Sequence, residues 1–331
     1  MSSHPFFEVV EPGLETCVQE LPGRIGYWEQ GFPPSGPADA WSLRLANLLV
    51  GNDRDAAALE CQFLGPTLRF LEDGAVAMTG AEMMPRLDGE PVALWQTVPV
   101  RRGQVLATGG GRTGARMYIA FAGGIDTPQV LGSRATFHMA GVGGVDGFAI
   151  KAGQVLSVGE VIRPVTAQQV IQEMRPPIET GKTVTVEVVA GPNDDWLGEA
   201  GVAGFLAAEW TVLAQSNRTG MRLKGPAISF GPRAYDKPPE HGQDPANILD
   251  HGYPLGGINI AGQTPIVLMH DAPSTGGFIN PFTVPSAALW KMGQARPGQK
   301  ISFFAITIDD AHEMRRRQDH ICTAAKALAL L

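Results

Sequence analysis

Residues 109–124 read GGGRTGARMYIAFAGG, and this stretch decides between two fold classes. Gly109, Gly111 and Gly114 satisfy G-x-G-x-x-G, the spacing of a dinucleotide-binding turn. That turn works only between a strand and a helix, because the helix N-terminus supplies the N–H groups that hold a pyrophosphate. Here the glycines lead into Ala115–Phe121, an alternating strand-like run with no helical period. They therefore shape a hairpin, and the chain reads as β-rich.

The same texture extends on both sides. Thr67–Leu71, Ala75–Thr79, Val92–Val98, Gln104–Thr108 and Gln154–Val158 are short apolar runs bounded by turn residues. With 41 Gly and 26 Pro in 331 residues, punctuation is frequent while apolar runs keep recurring, which favours strands over long helices. RRGQVL at Arg101, KAGQVL at Lys151 and RPGQKI at Arg296 each place Gly-Gln before an apolar strand, so each predicts a tight turn with glycine at positive φ. LGPTLRF from Leu64 echoes KGPAISF from Lys224, which fits either a duplicated β-domain or two similar turns. Helices are few. Pro37–Gly51 has Pro at its first turn and Gly at its end, Thr166–Met174 runs into Pro176-Pro177, and Trp196–Ala200 opens the second half. Asp309–Leu331 reads as a helix with acidic residues first, ending in the apolar AAKALALL. A boundary falls at Pro176-Pro177, because the β-branched strand Thr183–Val189 starts just beyond it. The domains are read as 1–177, 178–308 and a C-terminal helix, 309–331.

Composition excludes several functions. The net charge of −7 is spread along the chain without a basic stripe, which argues against nucleic acid. No stretch reaches the roughly 20 apolar residues of a membrane span. Met1–Glu11 has no basic-then-apolar pattern, and three distant cysteines make no disulfide framework, so a reducing cytoplasm is expected. The seven histidines show neither H-E-x-x-H nor other metal-ligand spacing, so no metal site is expected. No phosphate-binding loop occurs, so any ATP chemistry must come from elsewhere, and without G-x-S-x-G a serine hydrolase of that type is disfavoured.

The densest polar segment is Asn247–Phe278, NILDHGYPLGGINIAGQTPIVLMHDAPSTGGF. It holds Asn247, Asp250, His251, Tyr253, Asn259, His270 and Asp271 among glycines, and Asp271 ends what reads as a buried strand. Upstream, Ser216-Asn217-Arg218-Thr219-Gly220-Met221-Arg222 adds two guanidinium groups. Turn chemistry alone accounts for part of this set. Strand ends beside Gly-rich loops are also where backbone N–H groups can be aimed at an anion. In the first half, Ser35-Gly36-Pro37 leads into a helix N-terminus, a position that favours anionic groups or serves only as a cap.

These segments resemble the family known as allophanate hydrolase subunit 2, which includes part of the carboxyltransferase region of urea carboxylase and urea amidolyase and extends to the C subunit of 5-oxoprolinase. The stretches that carry the resemblance are Pro22–Asn52, Leu59–Phe70, Phe121–Phe137, Ser216–Pro226, Asn247–Phe278 and Val284–Phe303, in order from about residue 8 to 308. Asn247-Ile248 with Asp250, Gly257-Ile258-Asn259, Asp271-Ala272-Pro273-Ser274 and Leu289-Trp290-Lys291 look closer to the urea carboxylase branch than to the 5-oxoprolinase branch. His251-Gly252 and Met269-His270 depart from the family pattern, which bears on the substrate pocket.

The resemblance implies two tandem cyclophilin-like β-barrel subdomains with flanking helices. It also implies transfer of a carboxyl group from carboxybiotin, held on a separate carrier domain, to a urea-like nitrogen. Asp250 and Asp271 are then candidate bases, Asn247 and Asn259 amide contacts, and Arg218 a carboxylate clamp. Ser35, Gly36, Ser216, Tyr253, Gly257, Gly276, Gly277 and Lys291 are candidates for holding substrate or biotin. The implied partners are a protein resembling allophanate hydrolase subunit 1, a biotin carboxylase and a biotin carrier, with ATP and Mg handled on partner subunits. The acceptor could be urea, guanidine or a lactam. An ATP-dependent 5-oxoprolinase subunit and a non-catalytic regulatory subunit are the alternatives.

Overall fold

The computed structural model describes residues 4–179 and 181–331. The deciding stretch does lead into a strand, but the expected hairpin is corrected. Val105–Ala107 before the glycines and Thr113–Phe121 after them lie in different sheets, so the loop crosses from one sheet to the other. Gly114 takes φ 67°, and Thr113–Phe121 is buried from Gly114 onward. It is the middle strand of a five-stranded sheet ordered Glu15–Gln19, Ala58–Gln62, Thr113–Phe121, Gly74–Glu82, Thr97–Val100. The glycines run directly into this strand and not into a helix, which removes the dinucleotide reading on structural grounds.

By contact density the chain divides into two compact units, residues 4–25, 34–178 and 318–331 in the first, and 26–33, 179 and 181–317 in the second. In the first unit the five-stranded sheet faces a six-stranded one. Between them Phe7, Phe70 and Phe121 pack with Leu59, Leu68, Met78 and Met117, all at 0% exposure. Burying such side chains is worth about 1.5–3 kcal/mol each, so this layer is the unit's main source of stability. The other face of the five-stranded sheet is covered by the helix Ala40–Leu49, whose Leu43, Leu45, Ala46 and Leu49 sit against Ala77, Tyr118 and Ala120. Asp39 caps that helix, its Oδ1 accepting from Ser42 N at 3.0 Å.

The second unit closes a seven-stranded barrel. Its order is Val184–Ala190, Phe282–Thr283, Gly257–Ala261, Thr264–Leu268, Gly220–Lys224, Glu209–Val212, Lys300–Ala305, the last strand lying parallel to the first. The helix Gly198–Ala207 plugs it. Phe205 lies 4.8 Å from Trp210, 5.0 Å from Phe282 and 5.4 Å from Phe303 between ring centroids. Closure leaves no unpaired edge on the barrel. The fold class is mainly β, as the resemblance implies.

The three Gly-Gln turns share one device. Gly103, Gly153 and Gly298 have φ near +85°, and Gln104, Gln154 and Gln299 fold back to accept from the N–H of Arg101, Lys151 and Arg296 at 2.8, 2.7 and 3.1 Å. The repeated motif is thus a side-chain-capped turn used in both units.

Three further local expectations are corrected. Val92–Val98 is not one strand: Trp95 adopts φ 65°, and only Thr97–Val100 joins the sheet. Thr166–Met174 is a strand, Gln168–Val170, succeeded by one 3-10 turn at Gln172–Met174. The C-terminal helix stops at Ile321, and Leu328–Leu330 is a strand paired with Gln168–Val170. The last two errors share a cause. Both segments have helix-forming residues, but pairing with each other satisfies their backbone and buries Val170 beside Leu328. Of Met1–Glu11, residues 1–3 lie outside the described residues and His4–Glu11 is a strand. Among the described residues no helix is long and apolar enough to cross a membrane, and no group of three or more His, Cys, Asp or Glu could hold a metal.

Candidate active site

The polar segment of the second unit builds a ribbon beside the barrel. Asn247–Gly252 pairs antiparallel with Thr275–Phe278, Asn247 opposite Phe278 and His251 opposite Gly276. Four steps on one strand thus match two on the other, and the surplus is absorbed at Ile248, Leu249 and Asp250. A bulge of this kind re-aims side chains. Here it turns Leu249 and Asp250 out to solvent, while Asn247 stays half-buried.

Tyr253 stands at the foot of the ribbon, 4% exposed and packed on Leu268 and Ala272. Its hydroxyl oxygen accepts from Phe278 N at 2.7 Å and from the Asn259 side chain. Burial pushes the phenol's pKa up against those two hydrogen bonds, and the nearby Asp250 charge pushes the same way. Gly276 must be glycine: a Cβ there would sit 2.5 Å from the Tyr253 ring. Gly257 is equally confined, its Cβ position lying 2.7 Å from Asn280 Oδ1. Gly277 lies against the Ile248 carbonyl and 3.4 Å from Asp250 Oδ1 by the same measure.

Asn259 lies between Ile258 and Ile260 on a barrel strand and points away from them, 4% exposed. Asn259 Oδ1 and Asn280 Oδ1 are buried acceptors with no partner among the described residues. Buried polar atoms are normally paired, so two unpaired acceptors beside one ribbon mark where donors belong. His251 completes the group. Its Nε2 lies 3.0 Å from Phe278 O and 3.4 Å from Asn280 Nδ2, and its ring meets Tyr253 edge-on at 5.2 Å.

Arg218 and Asp271 form a two-pronged ion pair, Nε to Oδ2 at 2.8 Å and Nη2 to Oδ1 at 3.2 Å, each side chain 6% exposed. Two backbone bonds, Asp271 N to Arg218 O and Met269 N to Thr219 O, extend the pairing of Gly220–Lys224 with Thr264–Leu268 and bring the pair together. Asp271 is therefore bound to Arg218 and the Arg218 fork is occupied by Asp271, which alters the separate roles of base and carboxylate clamp expected for them.

Other expected residues have structural partners. Ser216 Oγ accepts from Arg222 N at 3.0 Å and closes its turn. Lys291 Nζ is held by both oxygens of Glu187, at 2.8 and 2.7 Å, and by Thr185 O. Ser35 and Gly36 belong to the first unit. There Gly36 N donates to Gln19 Oε1, Ala38 N to Glu60 Oε2 and Asp39 N to the Tyr118 hydroxyl, at 2.9, 2.8 and 2.7 Å. A subsite at Ser35-Gly36 has none of those three N–H groups to offer an anion. Ser35 itself is buried at φ 54°, its Oγ unpaired among the described residues. A cavity of about 800 Å³ in the first unit, lined by Leu48, Asn52, Arg54, Arg163 and Cys322, contains none of the expected site residues.

Sequence reasoning missed the roles of Asn280, Asn193 and Lys237. Asn193 Oδ1 accepts from Asn280 N at 2.9 Å and Lys237 holds the start of the ribbon. Asn280 sits two residues past the quoted segment, in Ile-Asn-Pro, and nothing in local spacing separates it from a turn asparagine.

Residues 30–305 match the family described as carboxyltransferase domain, subdomain A and B. The chain belongs to that family. It is 38% identical over 318 residues to urea amidolyase of Saccharomyces cerevisiae, covering 94% of this chain and 17% of that protein. It is 34% identical over 314 residues to the C subunit of 5-oxoprolinase from Escherichia coli, covering 94% of each. The structure of Kluyveromyces lactis urea carboxylase matches all of this chain and 30% of that one, at 37% identity and a TM-score of 0.92. The chain thus spans under a fifth of the fungal amidolyase and nearly all of the bacterial protein.

Proposed function

We propose that this chain is the carboxyltransferase component of a biotin-dependent carboxylase acting on urea or a urea-like nitrogen, working in the cytoplasm. It would act with a partner resembling allophanate hydrolase subunit 1, a biotin carboxylase and a biotin carrier. The observation that carries the reading is the match of all of this chain to 30% of urea carboxylase at a TM-score of 0.92, alongside 38% identity to 17% of urea amidolyase. The site's polar groups match a ureido group, which offers one carbonyl and N–H donors: Tyr253 brings a hydroxyl, and Asn259 Oδ1 and Asn280 Oδ1 are buried acceptors with no partner among the described residues. Carboxybiotin, when bound, supplies the activated carboxyl group.

The chain's own residues then have distinct tasks. Tyr253, Asn259 and Asn247 orient the planar nitrogen–carbonyl group, and Gly257, Gly276 and Gly277 keep the backbone close enough for them to do so. Asp250, aimed outward by the bulge, takes the proton from the acceptor nitrogen. The Arg218–Asp271 pair holds the ends of two barrel strands and fixes the floor beneath Tyr253 through Ala272. Ser216 and Lys291 are bound to protein groups and act through structure. A direct test supplies carboxylated carrier and follows transfer of labelled carboxyl to urea, guanidine or a substituted urea. Loss of transfer in Asp250→Asn with unchanged carrier binding supports the assignment, and unchanged transfer removes Asp250 from it.

The second reading is a subunit of an ATP-dependent 5-oxoprolinase. It is favoured by one observation: the match to the C subunit of 5-oxoprolinase covers 94% of both chains. A lactam carries the same nitrogen–carbonyl face that Tyr253 and Asn259 address, so the acceptor panel includes 5-oxoproline.

A further inference from the structure

The turn that launches the bulged strand is held by a residue outside the motifs above. Asp244-Pro245-Ala246-Asn247 closes on a bond from Asn247 N to Asp244 O at 3.0 Å, and Asp244 Oδ1 accepts from Ala246 N at 2.8 Å. Lys237 Nζ donates to both ends of this turn, to Asp244 O and, at 2.8 Å, to Asn247 O. The ammonium also lies 5.5 Å from the ring centroid of Trp196, against which His241 stacks at 5.9 Å with the planes 4° apart. Trp196 is buried, and its loop carries Asn193, the acceptor for Asn280 N. One loop therefore braces both strands of the ribbon. Trp196 and Lys237 fix the start of Asn247–Gly252, and Asn193 fixes the chain just beyond Phe278.

An ammonium between carbonyl oxygens and an indole face is anchored by the carbonyl dipoles and the ring quadrupole together, which no neutral side chain reproduces. The carbonyls it holds belong to an exposed and a half-buried residue, so water can take its place when it is removed. Its loss therefore costs little global stability. What it does supply is register. A two-stranded ribbon with a bulge is weakly specified by itself, and a slip there would swing Asn247 and Asp250 away from the position the barrel strand Asn259 addresses.

We propose that Lys237 is a positioning residue, clamping the 244–247 turn so that Asn247 and Asp250 are presented to substrate in one register. The role rests on the reading of the ribbon as the substrate-facing element. Because the clamp acts through geometry, its loss lowers turnover and leaves ground-state binding nearly intact; misplacement on the ångström scale costs about 10²-fold in rate.

The test compares wild type, Lys237→Met and Lys237→Arg as full chains, alone and in the reconstituted complex. Hydrogen exchange is expected to speed at amides 244–252 in Lys237→Met while strands 257–268 keep their protection and the melting temperature is unchanged. In the complex, kcat for Lys237→Met is expected to fall about 10- to 100-fold at nearly constant KM. Lys237→Arg, which keeps charge, donors and the ring contact, should recover most of both. Unchanged exchange at 244–252 overturns the clamp. Faster exchange with unchanged kcat overturns the positioning role, as does a general loss of protection across the barrel. If the wild-type complex turns over no acceptor, the proposed function fails, while the exchange comparison still decides whether Lys237 holds the turn.

Discussion

Asp271→Asn replaces a charge with a near-isostere at the floor of the candidate site, and the structure sets what that costs. Arg218 and Asp271 are each 6% exposed and joined by two hydrogen bonds, so the substitution leaves a guanidinium buried against a neutral amide. Breaking a buried pair from one side costs about 3–5 kcal/mol, because the remaining charge keeps its desolvation penalty. The amide oxygen retains one acceptor, which favours the lower end of that range. For a domain of this size each kcal/mol moves the midpoint by roughly 2–4 °C, so the second unit is expected to melt roughly 6–20 °C lower. Removing both partners, as Arg218→Met with Asp271→Leu, should recover at least half of the loss, since an apolar pair of similar volume carries no unpaired charge. The assay is calorimetry of the two single variants and the double variant, read as a cycle. A single variant melting within about 2 °C of wild type would refute the reasoning, because a desolvated pair cannot be broken that cheaply. Loss of activity in Asp271→Asn is therefore interpretable only beside its melting curve.

Asp250→Asn separates the two effects from the other side: the residue is exposed, so stability should change by less than about 0.5 kcal/mol while turnover drops at least about 100-fold. Gly276→Ala is expected to cost about 1–3 kcal/mol in denaturant unfolding, because its Cβ meets the Tyr253 ring at 2.5 Å and the ribbon must shift. Tyr118 and Tyr253 both have raised pKa values, chiefly through burial, so absorbance titration should show two phenols ionising later than a free one. The native state keeps those protons where the unfolded chain has lost them. Stability is thus fully present below pH about 10 and falls as pH rises from there through the folded values, and Tyr253→Phe should reduce that alkaline loss.

The β class was legible because its signals are local. The run after Gly114 fixes a strand, and each Gly-Gln pair fixes a turn that the glutamine then caps. What failed depended on distant partners. Gln168–Val170 and Leu328–Leu330 have the composition of helices and become strands only by meeting each other across a long stretch of chain, Val170 opposite Leu328. The site shows the same division. Asn247, Asp250, Tyr253 and Asn259 stood out as a polar cluster among glycines, yet their roles rest on facts without sequence period: which oxygen is buried unpaired, and which strand carries surplus residues. Arg218 and Asp271, 53 residues apart, could not be read as partners from the chain. Lys237 lies in an ordinary Asp-Lys-Pro-Pro loop, and only the fold sets it against Trp196 and the Asn247 carbonyl.

The most direct test of carboxyl transfer is the avidin sensitivity of turnover in the reconstituted complex. The chain is combined with its partner subunit, biotin carboxylase, biotinylated carrier, ATP, Mg and bicarbonate, and ADP release is measured with urea, guanidine or 5-oxoproline. Turnover that requires urea or a urea-like acceptor and is abolished by avidin is the predicted result. Turnover of 5-oxoproline that proceeds without carrier and ignores avidin would contradict it.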